Sequence, residues 1–268
     1  MIDPFEEISF LTRSKNRVDV LGALSDQGRT RRELVEETGI STVTIGRVIQ
    51  AFTERGWVRE HEGIYRVSAV GELLATDYRR LEESMNIAAR LGPVLHLLPV
   101  DEMDFDLRVF ADARISDPEY FDSLKAIDWW KQLLREADRI VGTAPAPTAV
   151  TVVADPFHQA IVAGDLQFSV VVSPAYYEVA SAQPEMRELL REILQAGGEM
   201  YVASGEEKEF TAHVALFDDL AALTGYDRSG DLRVGIESFA EPVREWVQAT
   251  YESYRENASP LIPDDFAE

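Results

Sequence analysis

Thr42, Thr44 and Arg47 fall within two turns of one another, directly after Ser41. Hydroxyls and free backbone N–H groups at the start of a helix suit phosphate oxygens, and an arginine a turn further on can span a guanine edge with two hydrogen bonds. Ser41 is of a type that caps such a helix. Arg31 stands at the start of the preceding element, and Arg59 and Arg66 flank a short Gly-containing connection, so each is placed to meet a backbone phosphate. Arg13, Lys15 and Arg17 are further phosphate candidates. Double-stranded DNA is the ligand this set fits. A second set is aromatic: Trp129, Trp130, Tyr176, Tyr177 and His213 offer faces and edges for an apolar or sugar-like small molecule. Packing in a core is the competing account of each of these five.

The elements that must position the first set can be read from period and punctuation. Pro4–Leu11 and Ser14–Leu24 predict two helices, with Val18, Val20, Leu21 and Leu24 near helical spacing and a stop at Ser25–Gly28. Thr30-Arg31-Arg32-Glu33 has the form of a capping box and opens a short helix to Thr38, ended by Gly39. Ser41 then caps a helix running to about Arg55, in which Ile45, Ile49 and Phe52 recur at i, i+4, i+7 and face inward. Thr42, Thr44 and Arg47 are thereby turned outward. Two β runs, Trp57–Glu60 and Ile64–Val67, are joined by His61-Glu62-Gly63. This is a helix-turn-helix followed by a wing. Gly46 inside the helix that Ser41 caps disfavours it by about 1 kcal/mol relative to Ala; close approach to a phosphate and a tight packing contact both account for it.

A connecting helix follows, in which Val67, Val70, Leu74, Tyr78, Leu81, Met85 and Ala88 approach a heptad seam, ended by Gly92-Pro93. It reads as a dimerisation helix or as one packed on its own domain. Beyond it, helices are expected over Phe121–Ala137, Pro156–Gly164, Ala175–Ala196 and Pro242–Asn257, and strands over Arg139–Thr143, Gln167–Ser173, Glu199–Ala203, Thr211–Phe217, Ala221–Tyr226 and Leu232–Ser238. Thr148–Ala154 is ambiguous, and residues 258–268, with two prolines and three acids, read as a loose acidic tail. The fold class is therefore α+β in a winged helix-turn-helix domain (1–67), then a linking helix (68–100), an α/β mixed-sheet body (101–258) and the tail (259–268).

Arg29–Val67 resembles the winged helix-turn-helix of archaeal transcriptional regulators, a resemblance carried by the spacing of Leu34, Gly39, Ser41, Thr44, Arg47, Ile49, Phe52, Gly56 and Val58. The body resembles the sensor domain behind the winged helix in archaeal methanogenesis-type regulators and their haloarchaeal relatives. More loosely it is similar to the sugar-sensing half of TrmB-like regulators, which looks like a phospholipase-D fold. Arg139–Gly142, Gly164–Pro174, Thr211–Asp219, Gly225–Asp227 and Gly235–Glu237 carry this second likeness. With Asp218 aligned to the phospholipase-D aspartate, Thr211 stands where the nucleophilic histidine belongs and His213 where the lysine belongs. The resemblance thus implies a degenerate, non-catalytic body that senses a metabolite, and a regulator that binds its operator as a homodimer without a cofactor.

The charge has to be reconciled with that. The chain of 268 residues carries 26 Lys+Arg against 48 Asp+Glu, a net charge of −22. Taken whole, such a polyanion repels nucleic acid. Residues 1–90, however, hold 13 basic and 15 acidic side chains, and 91–268 hold 13 and 33; within Arg13–Arg66 there are 10 basic and 8 acidic. The module proposed to touch DNA is slightly basic, and the body carries the excess. Only four of the 26 cations are lysines, and an acidic, lysine-poor surface suits concentrated salt. Zero cysteines exclude thiol chemistry and cysteine zinc sites, and four scattered histidines offer little to a metal. No apolar run approaches the ~18 residues of a membrane span, and the first residues lack an export signal, so a cytoplasmic protein is expected. Two other readings stay open: a protein-docking transcription adaptor and a phospholipase-D-like hydrolase.

Overall fold

The computed structural model of the chain describes residues 3–116, 123–144, 158–204, 213–227 and 232–267. They form two compact units, Met1–Met85 and Asn86–Glu268. The first contains α1 (Pro4–Thr12), α2 (Lys15–Asp26), α3 (Arg31–Thr38), α4 (Thr42–Glu54), β1 (Val58–His61), β2 (Ile64–Val67) and most of α5 (Ala69–Leu91).

Local chemistry explains these boundaries. Asp3 caps α1 by accepting from the Phe5 amide at 2.9 Å. Thr30 and Glu33 exchange both bonds of a capping box, and the Thr30 amide and hydroxyl donating to the Glu33 carboxylate hold it below the ordinary carboxylate range. Gly39 ends α3 in the left-handed region, at φ 68°. In α4 the inward face is Ile45, Val48, Ile49 and Phe52, packed with Leu21, Leu24, Leu34 and Trp57 into one buried cluster. Glu62 and Gly63, both at positive φ, make the two-residue turn between β1 and β2. The hairpin is widened on one side by Arg29, whose backbone exchanges two hydrogen bonds with Tyr65 at 2.9 and 2.8 Å.

Helix α5 differs from the single seam expected of it. Leu74, Ala75 and Tyr78 pack on the core of the first unit, whereas Val70, Leu73, Leu81 and Met85 are exposed. Its first turn lies against the wing: a Cβ at Gly71 would stand 2.1 Å from the Trp57 carbonyl oxygen. The Ser68 hydroxyl donates to the Gly56 carbonyl and accepts from the Gly71 amide, tying the helix start to the turn before β1.

The second unit is built on an eight-stranded mixed sheet among the described residues, in the order β10-β6-β5-β4-β7-β8-β9-β3. The strands are β3 (Arg114–Ile115), β4 (Arg139–Ala144), β5 (Gln167–Val172), β6 (Glu199–Val202), β7 (His213–Phe217), β8 (Leu220–Tyr226), β9 (Leu232–Ser238) and β10 (Ser259–Pro260). β4, β5 and β6 run parallel; every other pairing is antiparallel. Both faces are covered, which is why the central strands read as nearly unbroken apolar runs. Val141, Val171, Val214, Leu216, Ala221 and Leu223 face one cluster with Val243, Trp246 and Val247 of α10 (Glu241–Glu256). Their neighbours Ile140, Val170, Val172, Ala215, Phe217 and Ala222 face the other, with Trp130 and Leu133 of α6 (Ser123–Glu136). That second cluster also takes in Ile161 of a helix over 158–163 (α7), Ala180 of α8 (Pro174–Ser181), and Met186 and Leu190 of α9 (Pro184–Gln195).

Two sequence expectations need correction. The long helix over Ala175–Ala196 is two helices, because Pro184 lacks an amide donor and pushes Gln183 into the extended region, φ −104°, ψ 115°. The described part of the expected loose tail, residues 258–267, is ordered against the sheet: Ser259 and Pro260 pair with Val202 and Tyr201, and Phe266 is buried beside the ring of Tyr177. Strand β3 was not foreseen at all. Thr148–Ala154 lies outside the described residues, as does Thr211, so the strand expected from Thr211 is described from His213. Among the described residues no helix is long and apolar enough to cross a membrane.

Candidate nucleic-acid interface

The first unit assembles the candidate set on α3, α4 and the wing. Ser41 caps α4, accepting from the Thr44 amide at 3.4 Å, and its hydroxyl lies 3.0 Å from that of Thr44. Thr44 is therefore half-buried and engaged in holding the helix start, while Thr42 and Arg47 are exposed. The hydroxyl pair thus serves the geometry of the helix end, and Thr42 is the hydroxyl free to face solvent.

The arginines of this unit divide into two kinds. Arg29 pairs with Glu37, Arg32 with Glu36, Arg55 with Glu7, Arg79 with Asp26 and Arg80 with Asp77. Arg17 donates to the Phe10 carbonyl and lies over the Phe10 ring, contacts that hold its side chain against α1. Among the described residues no carboxylate pairs with Arg31, Arg47, Arg59 or Arg66. Arg31 is exposed with its guanidinium 5.5 Å from the Tyr65 ring, which orients it without neutralising it. Arg59 and Arg66 stand directly opposite each other across the hairpin. Like charges in that relation destabilise a β ladder. The Arg66 side chain also lies over Gly28, where a Cβ would come within 2.7 Å of its guanidinium.

The aromatic candidates of the second unit are only partly brought together. Trp130 stacks on His213 with centroids 5.9 Å apart, and His213 stacks on Tyr226 at 5.2 Å and 15°. Trp129 lies edge-on to Trp130 at 5.2 Å and donates from its indole nitrogen to Glu237. Tyr226, which the sequence reading missed, completes this stack. Tyr177 instead meets Phe266, and Tyr176 sits in the first turn of α8 with its hydroxyl pushed up by burial. Burial pushes the His213 imidazole down to about 3, and its Nδ1 has no hydrogen-bond partner among the described residues. His213 is a neutral, enclosed ring and not an exposed proton carrier. Among the described residues no group of three or more His, Asp or Glu could hold a metal ion.

A winged helix carrying unpaired arginines, coupled in one chain to a mixed-sheet body, defines a two-part protein of the DNA-binding regulator class. Residues 5–90 match the model of the HVO_A0261 N-terminal domain, and residues 124–257 match that of the middle domain of the methanogenesis regulatory protein FilR1. The second match spans half of the chain, which therefore belongs to the family of the methanogenesis regulatory protein FilR1 middle domain. Among solved structures, that of TrmBL2, an archaeal chromatin protein, is 14% identical over 94% of this chain and 97% of its own, with a TM-score of 0.42. CalO1, a methyltransferase of calicheamicin biosynthesis, is 18% identical over 76% of this chain and 81% of its own, with a TM-score of 0.21. The riboflavin-derivative dimethyltransferase RosA from Streptomyces davawensis is 14% identical over 74% and 78%, with a TM-score of 0.24. At such scores these likenesses carry no argument about fold or chemistry. No curated protein matches the chain, and neither family match supports the expected phospholipase-D-like fold of the body.

Proposed function

We propose that the chain is a sequence-specific transcriptional regulator that binds operator DNA as a homodimer and is modulated by a small molecule held in its body. The observation that carries the DNA reading is the placement of Arg31, Arg47, Arg59 and Arg66, none with a carboxylate partner among the described residues, on α3, α4 and the wing. Arg47 and Thr42 face base edges and adjacent phosphates, Ser41 and Thr44 hold the α4 N-terminus toward a phosphate, and Arg31, Arg59 and Arg66 grip the backbone. The homodimer is favoured by the exposed apolar residues of α5, Val70, Leu73, Leu81 and Met85, since winged domains read two half-sites. Effector binding is favoured by the Trp130–His213–Tyr226 stack with its unpartnered imidazole nitrogen.

The test is binding to duplexes enriched from a random pool. Arg47→Ala is expected to lose roughly 5- to 150-fold in affinity for the enriched duplex, since a bidentate contact contributes about 1–3 kcal/mol, with affinity for unrelated duplex little changed. A protein-docking adaptor would enrich no sequence, and Arg47→Ala would be silent.

A further inference from the structure

The outward face of α4 holds two residues that the fold of the first unit does not require. Val43, in the first turn, is 66% exposed, although its neighbours on the same helix, Ile45, Val48, Ile49 and Phe52, are all buried. Three residues on, Gly46 has ordinary helical φ, and a Cβ built on it meets nothing within 4 Å. A glycine in a helix interior is normally retained for a positive φ or a close neighbour. Neither exists inside this unit, so the tight packing contact is removed as an explanation for Gly46. Val43 shows the complementary anomaly: a β-branched, apolar side chain disfavours the helix and is left in water. Val43, Gly46, Arg47 and Gln50 lie at i, i+3, i+4 and i+7, one stripe facing away from the core.

What explains an absent side chain beside a projecting apolar one is a partner that approaches the helix closely and presents an apolar group. In the major groove, the 5-methyl of thymine is the one apolar group on the base edges. We infer that α4 seats against the base edges at Gly46 and that Val43 packs on a thymine methyl, making these two residues, with Arg47 beside them, determinants of operator sequence. Gly46 governs the depth of seating and Val43 selects the base. The inference rests on the DNA-binding reading, and the experiment separates the two.

A duplex enriched by wild-type protein is resynthesised with each thymine replaced in turn by deoxyuridine, which removes only the methyl. At one thymine per half-site, wild type is expected to lose about fourfold in affinity, the equivalent of one buried methyl of about 0.8 kcal/mol. Val43→Ala should lose a similar factor on the thymine duplex and nothing further on the deoxyuridine duplex, the non-additivity that marks a direct contact. Gly46→Ala should melt at the same temperature as wild type or higher, because Ala is the better helix former, yet bind the enriched duplex at least tenfold more weakly. A Gly46→Ala variant that binds as tightly as wild type, or a deoxyuridine effect equal in wild type and Val43→Ala, overturns the inference and leaves the DNA reading standing. If wild type enriches no sequence, both fall.

Discussion

At the scale of single residues, the candidate interface divides into groups readable from the sequence and groups that burial alone exposes. The cap at Ser41 and the outward positions of Thr42 and Arg47 were legible because capping chemistry and the i, i+4, i+7 spacing of Ile45, Ile49 and Phe52 fix which side of α4 faces out, whereas Thr44, expected outward, is half-buried against Ser41. The packing of Arg17 over Phe10 was not legible, because a free cation and one lying over a ring look the same in a sequence. Arg59 and Arg66 were named separately, but their opposition depends on hairpin register. That opposition makes a prediction: Arg59→Thr should leave the free protein as stable as wild type or slightly more so, while lowering the salt slope of DNA binding by about one. Thermal melts and a salt titration of binding check it; an unchanged slope removes Arg59 from the interface. His213 makes another. The unfolded chain protonates this ring near pH 6.5, whereas the folded body keeps it neutral to about pH 3. Its contribution to stability is therefore full above pH 6.5 and declines as the pH falls toward 3. Between pH 7 and 4.5 the melting temperature of wild type should fall more steeply than that of His213→Phe, and parallel curves would show that burial does not hold the imidazole neutral.

Elements follow their local signals except where distant chain decides. The helix-turn-helix and wing were readable because each boundary has its own chemistry, the Thr30–Glu33 capping box, Gly39, Ser41 and the Glu62-Gly63 turn. The break at Gln183-Pro184 was overlooked because apolar spacing continued through it. β10 and the burial of Phe266 were invisible because two prolines and three acids look like an unpaired end, and only pairing with β6 shows otherwise. Phe266→Ala should therefore destabilise the body by about 3–5 kcal/mol, as for a large aromatic removed from a core; urea unfolding of the full chain measures this, and a change below ~0.5 kcal/mol would restore the loose tail. The start of α5 is equally specific. Gly71→Ala forces a methyl against the Trp57 carbonyl and should destabilise the first unit by about 1–3 kcal/mol, read as earlier loss of its helical signal on heating.

For the molecule as a whole, the uneven charge is the property that needs an account. A net charge of −22 concentrated after residue 90 keeps the body soluble by self-repulsion and destabilises it unless salt screens that repulsion. On our proposal that the protein works in concentrated salt, its melting temperature rises steadily from about 0.1 M to multimolar KCl; a flat response would contradict the proposal. At such ionic strength the Debye length is roughly 3 Å or less, and counterion release supplies little affinity. Specific binding must then come from base contacts along α4 and from two winged domains acting together. This central claim is tested most directly by a genome-wide occupancy map of the protein in its own cells at native ionic strength. The account predicts discrete peaks sharing a two-fold symmetric motif, lost in cells carrying Arg47→Ala; even coverage without preferred sequence, unchanged by that substitution, would contradict it.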